Sequence, residues 1–85
     1  MSIFKADLRQ RDLEKFEELY NGKYEPAQKF GAVSPAGAIV RAAVEAGWAT
    51  GVTLEAVDGM KAKEVRALSV EISELYVQAV ELDPK

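Results

Sequence analysis

Eighty-five residues make one small domain; a chain of this size buries only roughly 60–65% of its unfolded surface. With no cysteine and no histidine, disulfides, thiolate metal sites and the commonest general base are all excluded. The 11 basic and 14 acidic residues leave a net charge of −3: residues 1–50 hold seven of each sign, so residues 51–85 carry the whole excess. That balance argues against nucleic acid as a partner, because its phosphates call for clustered Lys and Arg. No apolar run approaches the ~20 residues of a membrane span, and no signal-peptide core opens the chain. The expectation is a soluble, cytoplasmic protein.

In chain order, residues 1–6 read as an N-terminal arm whose apolar pair, Ile3 and Phe4, either lies on the body or frays. Asp7 is a good N-cap, with Gln10 at the capping-box position. From Leu8 to Tyr20 the apolar set Leu8, Leu13, Phe16, Leu19 and Tyr20 has helical spacing, and Asn21-Gly22 reads as its stop. Residues 21–34, punctuated by Gly22, Pro26 and Gly31, are expected to form a loop, with room for a single helical turn from Pro26 to Phe30. Tyr24 and Phe30 are expected to fold back on the core.

Ser34-Pro35 predicts a helix start, with Ser as cap and Pro at the first helical position. The helix is expected to run to Trp48 and to bury Ile39, Val40, Ala43, Val44 and Trp48. Its small residues, Ala36, Gly37, Ala42, Ala43, Ala46 and Gly47, suit the most enclosed helix of the domain. Trp48 reads as a core anchor whose indole N–H reaches a backbone carbonyl. Thr53 resembles an N-cap for a short piece, Leu54–Asp58, which turns the chain back, with Met60 plugging the corner. The last helix is expected over Ala62–Leu82. There Val65, Leu68, Ile72, Leu75, Ala79 and Leu82 step by threes and fours along one stripe, widened by Tyr76, and Pro84 stands just beyond.

The fold class is therefore all-α: a bundle of three main helices plus a short fourth segment. The expected core is Leu13, Phe16, Ile39, Val40, Val44, Trp48, Val65, Leu68, Ile72 and Leu75. No catalytic, cofactor or metal site emerges. Ser34 is explained as a cap, and Ser69 and Ser73 as small packing residues. Glu14, Glu17, Glu18, Glu71 and Glu74 lie on polar helical faces, and no loop is dense enough in oxygen ligands for a cation. One feature does not fit an isolated monomer. Val70 and Val77, seven apart, with Val80 beside them, lie roughly opposite the packed stripe, where Lys, Glu or Gln is usual. They are either isolated surface valines or a narrow seam that meets another chain, with Arg66 and Glu71 or Glu74 at its rim.

Three stretches, DLRQRDLEKFEELY, GAIVRAAVEAGW and VDGMKAKEVRALSVEISELYVQAVELDP, carry a resemblance covering most of the chain. It rests on Arg41-Ala42-Ala43, Ala46-Gly47-Trp48, Glu64-Val65-Arg66-Ala67-Leu68 and Leu75-Tyr76 in that order. The chain resembles small proteins encoded among the tail genes of tailed bacteriophages and prophages, described as tail assembly chaperones or as tail-associated proteins of unknown role. The resemblance implies a non-catalytic helical protein that keeps a tape-measure or other tail protein soluble through exposed apolar surface. It brings no active-site motif. Two other expectations stand beside it. One is a small acidic inhibitor that docks on a host enzyme by imitating nucleic acid. The other is a structural homo-oligomer of the phage particle closed by Val70, Val77 and Val80.

Overall fold

A computed structural model describes Phe4 and residues 8–81, with the backbone alone at residue 81. The described residues form an all-α fold. The first helix, α1 (Gln10–Leu19), begins after Arg9, whose backbone N–H donates to Asp12 Oδ2 at 2.9 Å. It thus starts two residues later than the expected Leu8, with Asp12 rather than Gln10 as the carboxyl or amide partner of the first turn. The expected cap, Asp7, lies outside the described residues, as does Ile3 of the arm. Phe4 lies on the body, buried in the core and bridged antiparallel to Ala49.

The chain does not break at Asn21-Gly22. It passes through a π-helical turn (Tyr20–Tyr24) into α2 (Glu25–Lys29), so most of the expected 21–34 loop is helix. Two features make the continuation favourable. Tyr24 is buried against Ala38 and Ala42, and its hydroxyl donates to Glu45 Oε1 at 2.5 Å, which ties the turn to the next helix. Pro26 lacks an N–H and crowds the carbonyl four residues back, and the widened turn falls immediately before it. Phe30 departs from its expected place on the core. It caps the end of α2 and stands 88% exposed on the turn that follows.

The central helix is α3 (Pro35–Glu45), capped by Ser34, whose Oγ accepts from Gly37 N–H at 3.0 Å. Gly37, Ala38, Val40, Ala42, Ala43 and Val44 are all buried, so small residues do let neighbours close in on every side. The helix ends at Glu45 rather than Trp48. Gly47 takes a left-handed φ of +87°; its N–H donates to Val44 O at 3.1 Å and that of Trp48 to Ala43 O at 3.0 Å. This Schellman closure sends Trp48 sideways instead of along the axis. The ring is fully buried against Phe16, and its Nε1–H donates to Asp12 O of α1 at 3.0 Å, the carbonyl contact expected of it.

A short helix, α4 (Leu54–Asp58), is capped by Thr53 Oγ1 accepting from Ala56 N–H at 3.1 Å, and it buries Val57. Arg41 of α3 pairs with Asp58 at 2.5 Å, and Met60 packs on the core. The long α5 (Ala62–Glu81) then lies along α3; the expected last residue, Leu82, is outside the described set. Of the expected core, Leu13, Val40, Val44, Trp48 and Ile72 are buried, whereas Phe16, Ile39, Val65, Leu68 and Leu75 are half-buried at its margin.

Candidate functional site

Helices α1 and α5 both pack on α3, and between them the surface stays open. Ile39 and Ile72 line this groove together with Phe16 and Tyr20 on one side and Ser73, Tyr76 and Val77 on the other, around a volume of about 380 Å³. The spacing explains the composition: Phe16 and Tyr20 are four apart, as are Ile72 and Tyr76, and Ser73 and Val77, so each pair stacks on one side of its helix.

The polar atoms of these residues are turned aside. Ser73 Oγ donates to Ser69 O at 3.0 Å, Tyr20 Oη to Gln28 Oε1 at 3.4 Å, and Tyr76 Oη to Glu17 Oε2. What faces the groove is ring and methyl surface, with Phe16 stacked on Tyr20 and tilted against Tyr76. The carboxylate of Glu17 raises the phenol pKa of Tyr76 above the ordinary range, first through that hydrogen bond and then with the help of partial burial.

Of the three valines singled out in the sequence, Val77 lines this groove. Val70 and Val80 are not among its lining residues. They stand 55% and 48% exposed, and Val77 is 49% exposed. On a helix, Val70, Ser73, Val77 and Val80 step three, four and three, so they form one strip that continues the groove outward along α5. Arg66 lies a turn earlier and lines a different cavity, at the start of α3. The sequence pattern places Phe16, Ile39 and Ile72 in the core and Tyr76 beside the α5 stripe, and carries no signal for Tyr20 as a site residue. Their shared groove depends on how far apart α1 and α5 stand.

The other polar cluster ties structure together. Glu45 accepts from Tyr24 and from Lys23 Nζ at 3.2 Å, and the ammonium also sits 5.2 Å from the centre of the Tyr24 ring. The tyrosine hydrogen bond, followed by the lysine, holds the Glu45 carboxyl below the usual carboxylate range. Burial, then the carboxylate, pushes the Tyr24 phenol up. The described serines that could serve as nucleophiles are engaged locally: Ser34 as a cap, and Ser69 Oγ donating to Arg66 O at 2.7 Å. Among the described residues no group of three or more carboxylates could hold a metal, and no helix is long and apolar enough to cross a membrane. No protein-family model, curated protein or solved structure matches this chain.

Proposed function

We propose that this chain is a non-catalytic adaptor that holds an apolar segment of another protein in the α1–α3–α5 groove. In the tail-assembly setting implied by the resemblance, that segment belongs to a tape-measure or other tail protein, and the chain acts as its chaperone. The observation that carries the reading is the open groove with the valine strip beside it. A small domain that leaves ring and methyl surface uncovered on one side of its longest helix, with the nearby hydroxyls already paired, presents a surface suited to another chain.

The test is capture of the native partner from the cells that make the protein, with wild type and Val77→Glu compared at equal folding. Val77 is half exposed, so the variant is expected to melt with wild type and to lose the partner. Undiminished capture by a folded Val77→Glu would sink the reading. A second reading, the acidic decoy, is favoured by the charge excess of residues 51–85. It predicts steep loss of the partner as salt rises, whereas an apolar contact holds.

A further inference from the structure

The apolar surface has charged borders: Arg66 stands at the start of the strip, one turn before Val70, and past it the two long sides share one sign. On the α1 side stands Glu17, whose carboxylate accepts from Tyr76. A hydrogen bond from a neutral phenol leaves its charge in place. On the α5 side, helix geometry puts Glu74 about 40° around the axis from Val70, on the side away from Ser73. No cation among the described residues bridges Glu17 or Glu74. From Ala67 to Glu81 the sequence holds three glutamates and no Lys or Arg. The groove is therefore an apolar trough between carboxylates.

That arrangement selects among occupants. In a two-fold symmetric contact each rim residue meets a rim residue of the same set. A second copy would bring Glu17 and Glu74 against Glu17 and Glu74, which is repulsive along both borders. Nucleic acid would be repelled as well. The strip itself, stepping three, four and three along α5, has the period of a helix-in-groove contact. We infer that the occupant is an amphipathic α-helix of a partner protein, with an apolar stripe flanked on both sides by Lys or Arg. This rests on the adaptor reading above and adds the chemistry of the partner. Apolar contact in the groove supplies affinity, and the flanking cations fix orientation against Glu17 and Glu74 and exclude acidic competitors.

The probe is a fluorescent helical peptide of about 15 residues, the ~22 Å that α5 offers from Ala67 to Glu81, with leucines at i, i+3, i+4 and i+7. One version carries Lys and Arg beside the leucines, a second carries Glu there, and a third scrambles the basic version. At physiological salt the basic version is expected to bind at least about tenfold more tightly than the acidic one, and the scrambled one to fail. Val77→Gln should abolish binding. Glu17→Gln with Glu74→Lys should remove the preference for the basic version while keeping the stripe requirement; neither change touches the core.

Equal binding of the acidic version would overturn the charge assignment and leave the adaptor reading standing, provided Val77→Gln still blocks it. Equal binding of the scrambled peptide would show that bulk charge acts alone. A dimer of the protein by itself, dissolved by Val77→Gln in sedimentation velocity, would make a second copy the occupant. Failure of every striped peptide would overturn the inference, and the adaptor reading would then be judged separately by capture of the native partner.

Discussion

Ile72 and Val77 are five residues apart on one helix and separate two kinds of contribution. Ile72 is 1% exposed, so Ile72→Ala removes methyl groups from a filled site and should cost about 2–5 kcal/mol in urea unfolding. Leu68 is half-buried, and Leu68→Ala should cost clearly less. Equal costs would mean that the margin of the core has been misread. Val77→Gln should change stability by less than about 0.5 kcal/mol while abolishing docking.

The cluster around Glu45 makes a pH prediction. Its carboxyl is held low in the folded state, chiefly by the Tyr24 hydrogen bond. A depressed carboxyl adds stability above its ordinary pKa and loses it as pH falls through the lowered folded value. Glu45→Gln should therefore flatten the acid side of a stability profile. Tyr24 and Tyr76 are both raised, so their contributions are present below the ordinary phenol range and fade as pH rises through the folded values. Tyr76→Phe should flatten the alkaline side. Denaturation midpoints across pH would check both, and unchanged profiles would refute the two assignments.

At the scale of elements, two glycines exchange the roles their sequence context suggests. Asn21-Gly22 reads as a helix stop, whereas Gly47 reads as a small residue inside a helix running to Trp48. Only Gly47 takes a positive φ, and it closes α3 so that Trp48 can reach α1. Gly47→Ala should cost about 1–2 kcal/mol, the strain of a left-handed alanine, and shift the tryptophan emission. Gly22 lies inside continuous helix with open space around it, so Gly22→Ala should stabilise by up to about 1 kcal/mol. A destabilising Gly22→Ala would restore the loop reading of that segment.

The signal for the correct reading was present in the residues. Leu13, Phe16, Tyr20 and Tyr24 keep a three-four-four rhythm across the supposed stop. Gly22 and Pro26 outweigh it in a local reading, because their cost is local whereas the Tyr24–Glu45 bond that offsets it spans 21 residues. The caps, by contrast, were legible. Ser34-Pro35 and Thr53 act within three residues, and both helices begin where those residues say.

For the molecule as a whole, shape determines what is left uncovered. Its extents are 37 × 29 × 18 Å, a slab scarcely thicker than two helices. Such a slab covers one face of α5 and leaves the opposite face to solvent or to a partner. If the partner is held by apolar contact, raising salt to about 1 M, where the Debye length is ~3 Å, should leave most of the complex intact. Loss of the complex under those conditions would favour the acidic decoy.

What the sequence alone determined is whatever depends on near neighbours in the chain. That includes the helical class, the extents of α4 and the start of α3, the stripe of α5, the anchoring role of Trp48 and the exposure of Val70, Val77 and Val80. Only the tertiary structure decided that α1 and α5 stand apart on α3, that Phe16, Tyr20 and Tyr76 line a groove at the margin of the core, and that Glu17 meets the Tyr76 hydroxyl. Helical periodicity tells which side of a helix is apolar. How far two helices stand apart is set by the side chains of the third helix between them, and no local pattern records that distance.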